Sequence, residues 1–143
     1  MKEGLKEEKK KKELEEITRP GKIKILPGFV FRASNPAIVG CEVEGVVKPG
    51  YKLMKEKDVG EIKQIQSQGE NISEAKTGDK MAISISGPTI GRQVFESDVL
   101  YTDISSEEYK KLKKNENFLS ESEKKILEEI KKIKQKLNPM WGL

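Results

Sequence analysis

Histidine is absent from this chain of 143 residues, and cysteine occurs once, at Cys41. Without histidine there is no side chain whose ordinary pKa lies near neutrality, and the commonest metal ligand is missing. Nucleophile pairs of the Ser–His or Cys–His kind are excluded for the same reason. A single cysteine excludes an internal disulfide and a cysteine zinc cluster. No stretch approaches the roughly 18 apolar residues of a membrane-spanning helix, and the opening MKEGLKEEKKKKELEE is too polar for a signal peptide. A soluble cytoplasmic binding module is the leading class, and it is expected to be monomeric with no membrane partner.

Charged residues make up 36% of the chain and hydrophobic ones 34%, a balance that favours surface over core. The net charge of +4 is unevenly spread: residues 1–24 carry +3, residues 25–102 carry −1 and residues 103–143 carry +2. Most glycines and prolines fall in the middle, between two Lys/Glu-rich ends. This pattern predicts helical flanks around a β-rich centre. A basic balance suits a nucleic-acid partner, and it equally serves solubility alone. Abundant Lys, Glu and Ile with little His or Cys also fits a thermophile's proteome.

Residues 2–17 are good helix formers with few apolar positions (Leu5, Leu14, Ile17). They read either as a solvated end or as part of a long connecting helix, which Pro20-Gly21 terminates. From Lys22 the apolar period falls to two. Pro27-Gly28 reads as a turn before Phe29-Val30-Phe31, and extended runs follow at 38–47, 51–54, 59–65, 80–85, 93–95 and 99–101. Short strands at this spacing predict a small closed antiparallel β-barrel of six or seven strands. Ser105…Glu108 and Ser120…Glu123 then have the capping-box spacing that opens a helix. In the second helix Ile126, Leu127, Ile130, Ile133 and Leu137 form one apolar stripe, read as core. The organisation expected is therefore a connecting helix at 1–19, a barrel at 20–103, and a two-helix appendage with a short tail at 104–143.

No chemistry of catalysis is legible. The G-x-x-x-x-G-K-[ST] phosphate loop is absent, and Thr77-Gly78-Asp79-Lys80 does not replace it. Glu42 and Glu44 share a strand face, where edge solubility explains them. Cys41 lies in an apolar strand and reads as a small buried hydrophobe.

Three groups of residues carry a family resemblance. They are Ile38-Val39-Gly40, Val43 and Gly45-Val46-Val47-Lys48-Pro49-Gly50; then Val59-Gly60, Ile62 and Ile65; then Ala75, Gly78-Asp79, Met81-Ala82-Ile83, Ile85 and Gly87. Together they resemble the second-domain barrel of translational GTPases. Leu26-Pro27-Gly28-Phe29-Val30-Phe31, Ser34 and Pro36, with the two terminal helices, resemble more narrowly the C-terminal domain (domain IV) of archaeal and eukaryotic initiation factor five B. That family is the counterpart of bacterial initiation factor two.

The resemblance implies a part in joining ribosomal subunits, with GTP and magnesium expected only in a GTPase domain that this chain lacks. It also implies binding of the aminoacylated acceptor end of initiator tRNA, and of the tail of initiation factor one A. For the acceptor end it points to Gln66, Ser67, Gln68, Gly69, Met81, Ala82 and Arg92. The loop at 66–71 reads Gln-Ser-Gln-Gly-Glu-Asn, with no cation. Contact from this loop must therefore use amides, hydroxyls and backbone. For the partner tail, Tyr109 and Leu112 are expected as an apolar face, beside Lys110, Lys113, Lys114, Lys124, Lys125, Lys131 and Lys132. A different outcome is a pure protein–protein adaptor with negligible RNA contact.

Overall fold

The computed structural model describes residues 17–55 and 57–143. The expected helix over 2–17 lies outside them except for Ile17. Eight strands follow in order: β1 (Gly21–Arg32), β2 (Ala37–Val47), β3 (Lys52–Met54), β4 (Asp58–Ser67), β5 (Glu70–Ile72), β6 (Ala75–Lys76), β7 (Lys80–Ser86) and β8 (Val99–Thr102). Two helices, α1 (Ser106–Lys114) and α2 (Glu121–Leu137), complete the chain, with a short 3-10 turn at Glu116–Phe118 between them.

Six strands close into an antiparallel barrel in the order β1-β8-β3-β4-β7-β2, with β2 returning to β1. The small strands β5 and β6 extend β4 and β2 outside that circuit. Its interior is made by the period-2 positions: Ile23 and Ile25 from β1, Val39, Cys41 and Val43 from β2, Ile83 and Ile85 from β7, all fully buried. Burial of such side chains stabilises by roughly 1.5–3 kcal/mol each.

Two stretches depart from the sequence reading. Pro27-Gly28 does not end a strand, because β1 runs through it as a bulge. Between the pairs Ile25↔Cys41 and Val30↔Val39, β1 uses five residues where β2 uses two. The excess of three is odd, so the alternation inverts. Ile23 and Ile25 point inward, whereas beyond the bulge Phe29 and Phe31 point out. The second departure is Gln93-Val94-Phe95, expected as a strand, which lies in a loop where Ile90 and Val94 form an isolated bridge.

Both helices start with the expected capping box. Ser105 and Glu108 exchange side-chain-to-backbone hydrogen bonds, and Ser120 and Glu123 do the same. A second apolar cluster joins the helices to one end of the barrel through Met54, Ile104, Leu112, Ile126, Leu127, Ile130 and Trp141. Gly45 admits this contact: its φ is +76°, and an added Cβ would lie 2.8 Å from Ile126 Cδ1 and 2.3 Å from the Pro20 carbonyl oxygen. The apolar stripe of α2 is buried at Ile126, Leu127 and Ile130, half-buried at Ile133, and exposed at Leu137. Among the described residues no helix is long and apolar enough to cross a membrane.

Candidate nucleic-acid interface

Four neighbouring strands, in the order β4-β7-β2-β1, build a groove of about 410 Å³ on the outside of the barrel. Its floor follows from strand register. Gln66 pairs with Ala82, and Ala82 pairs with Gly40, so these three stand in one outward-facing row. The middle of the row is low because Ala82 and Gly40 carry almost no side chain. One wall is Gln66 with the turn that follows it. Phe29, seated over Gly40, forms the other; a Cβ added at Gly40 would meet Phe29 Cβ at 2.8 Å.

The turn Ser67-Gln68-Gly69-Glu70 joins β4 to β5, and its two central residues have φ of +52° and +81°. Both signs fit a type I′ hairpin turn, the form whose twist matches its strands. Gln66 donates Nε2–H to Asn71 Oδ1 at 3.0 Å, fixing that amide. Gln68 is exposed and makes no side-chain hydrogen bond among the described residues. Met81, opposite Cys41, packs partly against the barrel interior beneath the groove.

Of the seven residues expected at the acceptor end, Gln66, Ser67, Gln68, Gly69, Met81 and Ala82 line this one groove. Arg92 does not. It lies exposed in the 87–98 loop, beside a separate hollow lined by Val30, Ile90, Gly91 and Phe95. Leu26, Phe29, Phe31, Gly40, Cys41 and Lys80 complete the groove, and sequence reasoning did not place them there. The available signal was the Phe-x-Phe pair just after Pro27-Gly28. Among the described residues Lys80 is the only charged one in the lining. It stands opposite Glu42 in the ladder but forms no ion pair among the described residues. Burial pushes the Cys41 thiol up to about 12, so it is no nucleophile at neutral pH.

The residues expected for a partner tail are arranged differently. Tyr109 and Leu112 are 5% and 0% exposed, so they cannot offer an apolar face to a partner. The reason is geometric: they sit on the side of α1 that closes the second core, where the Tyr109 ring packs 5.0 Å from that of Trp141. Lys113 is engaged with Glu128 at 2.7 Å, and Lys131 lies over the Tyr109 ring at 5.9 Å. Lys110, Lys114, Lys124, Lys125 and Lys132 are exposed.

Comparison with known proteins agrees with this architecture. The family model of elongation factor Tu domain 4 matches residues 19–101. Probable translation initiation factor IF-2 of Methanopyrus kandleri is 52% identical over 141 residues, covering 96% of this chain and 24% of that protein. The corresponding protein of Ignicoccus hospitalis is 55% identical over 145 residues, with 98% and 24% covered. The crystal structure of GDP-bound aIF5B from Aeropyrum pernix superposes with a TM-score of 0.89 at 38% identity, covering 99% of this chain and 25% of that one. The chain thus spans about a quarter of the length of the curated relatives it matches. With the closed barrel, its capped helices and this match to more than half of its residues, the chain belongs to the elongation factor Tu domain 4 family, in a form similar to that found in archaeal IF-2 and aIF5B.

Proposed function

We propose that the chain is a non-catalytic domain of a translation initiation factor, and that its groove holds the aminoacylated acceptor end of initiator tRNA. The observation that carries this reading is the convergence of two sequence segments, 66–69 and 81–82, on one apolar-floored, amide-rimmed groove. A single-stranded RNA end with an esterified amino acid presents base edges, sugar hydroxyls and a small side chain. Gln66, Ser67 and Gln68 offer donors and acceptors for the first two. Ala82, Gly40 and Met81 offer an apolar floor for the third. Guanosine nucleotide and magnesium belong to another domain of the parent factor, which works in the cytoplasm on the ribosome.

The tail of initiation factor one A is the second proposed partner. With Tyr109 and Leu112 buried, its contact with the helices falls to the exposed lysines Lys110, Lys114, Lys124, Lys125 and Lys132. Such binding is salt-sensitive and gains little from any single ion pair. The loss of that apolar anchor also counts against a pure adaptor.

A chemical-shift titration of this chain with methionyl initiator tRNA tests the main reading. Shifts are expected at 66–69 and 80–82, reduced by Gln68→Ala and untouched by Arg92→Ala. Shifts confined to α1 and α2, or none, would overturn it.

A further inference from the structure

Two large rings stand exposed at the rim of the groove, Phe29 at 51% and Phe31 at 63%. They did not enter the acceptor-end reading, and nothing in barrel packing requires them, since the strand bulge turns them away from the core. Their centroids lie 6.5 Å apart with the planes at 73°. That near-perpendicular corner cannot sandwich a flat group between two faces. It can receive one flat group stacked on one ring, with the edge of the other ring against it. Phe29 is held in place from below by Gly40. Phe31 meets it edge to face.

We propose that Phe29 and Phe31 form a stacking corner for one unpaired base at the 3′ end of the bound RNA. This rests on the acceptor-end reading of the groove and specifies how the nucleotide, as distinct from the amino acid, is gripped. Charge decides the chemistry of the occupant. Among the described residues the lining holds one cation, Lys80, exposed and without an ion pair although Glu42 stands opposite it in the ladder, and a phosphate next to the stacked base would complement it. Exposed aromatics beside a cation form the usual platform for single strands, because every base has a π-face. Across the floor, the Gln66 and Gln68 amides stand where base or sugar edges would be met.

The test uses this chain and a methionyl RNA minihelix with an unpaired CCA end, in which 2-aminopurine replaces the terminal adenine. Anisotropy reads affinity and 2-aminopurine emission reads stacking. Phe29→Leu and Phe31→Leu keep apolar bulk at exposed positions but remove the π-face. Each is expected to weaken binding about tenfold and to abolish the emission change seen with the unaltered chain. Gln68→Ala weakens binding but retains the emission change. If the phenylalanine variants bind and quench like the unaltered chain while Gln68→Ala does not, the corner is wrong and the acceptor-end reading stands. Weaker binding with unchanged emission would assign the rings to some other contact and likewise overturn the corner. Failure of the unaltered chain to bind the minihelix overturns both readings.

Discussion

Arg19 and Glu123, 104 residues apart in sequence, meet in a two-pronged ion pair. Arg19 Nε donates to Glu123 Oε2 at 2.7 Å, and Nη2 donates to Oε1 at 2.8 Å. The pair ties the segment entering the barrel to the first turn of α2, and its neighbours reinforce it. Thr18 N–H donates to Glu108, the Arg19 N–H donates to the Tyr51 hydroxyl, and the Thr102 hydroxyl donates to the Arg19 carbonyl. The entry segment is thus fastened to both helices and to the barrel.

Glu123 is only 3% exposed, so removing its partner leaves a buried charge unmatched. Arg19→Met is expected to cost about 3–5 kcal/mol in urea unfolding. The double variant Arg19→Met with Glu123→Met should recover part of that loss. Recovery stays incomplete because Glu123 also accepts from the Ser120 N–H in the capping box. A single-variant loss below about 1 kcal/mol would mean that water screens the pair as it does at a surface.

The buried stripe of α2 makes a second stability prediction. Ile130 is fully buried in the seam between helix and barrel, so Ile130→Ala is expected to cost about 2–5 kcal/mol. Leu137 has the same helical phase but is 60% exposed, and Leu137→Ala should change stability by no more than about 0.5 kcal/mol. Parallel thermal melts distinguish the two. Equal effects would show that the helix contacts the barrel along its whole length or not at all.

The contrast between those two residues marks how much the sequence alone could say. Periodicity names the apolar face of a helix, but it cannot say where the partner surface stops. The barrel ends before Leu137, and only tertiary structure contains that fact. The same limit applied to Tyr109 and Leu112, whose spacing suits an outward apolar face and an inward one equally well. Capping boxes were legible because they are local: Ser105 needs only Glu108. The groove was half legible. Its amide turn carries a motif, whereas Phe29 and Phe31 depend on the parity of a bulge, set by how many residues of β1 oppose two of β2. Trp141 was missed because the tail after Pro139 folds back, with Gly142 N–H donating to the Ser106 hydroxyl.

Acid should loosen the entry segment. Burial alone would raise the Glu108 carboxyl, but hydrogen bonds from the Thr18 and Ser105 N–H groups outweigh it and hold the carboxyl below its ordinary range. A carboxyl depressed in the folded state binds its proton less readily there than in the unfolded chain. Its contribution is therefore complete above the unfolded value and is lost as pH falls through the folded one. The unaltered chain should lose stability from about pH 5 downward. Glu108→Gln is expected to be less stable at pH 7 and to show a shallower decline in acid, measured by urea unfolding at several pH values. Parallel declines for the two proteins would remove Glu108 from the acid response.

Gln68 separates the demands of folding from those of binding. Its φ of +52° is left-handed, a conformation that costs an L residue roughly 1–2 kcal/mol unless the side chain relieves it locally. Asn followed by Gly is the preferred pair at a type I′ turn, because the shorter amide can bond to nearby backbone. Gln has one methylene too many for that bond, and here it makes no side-chain hydrogen bond among the described residues. Folding by itself would therefore choose Asn. Gln68→Asn should raise stability by up to about 1 kcal/mol. If Gln68 reaches into the groove to meet the acceptor end, the shorter amide should at the same time weaken binding of methionyl initiator tRNA. Melts and binding measured on one preparation give the decisive comparison. Higher stability with undiminished binding would mean that the longer amide does nothing for the ligand, and the turn would then be only the end of a hairpin.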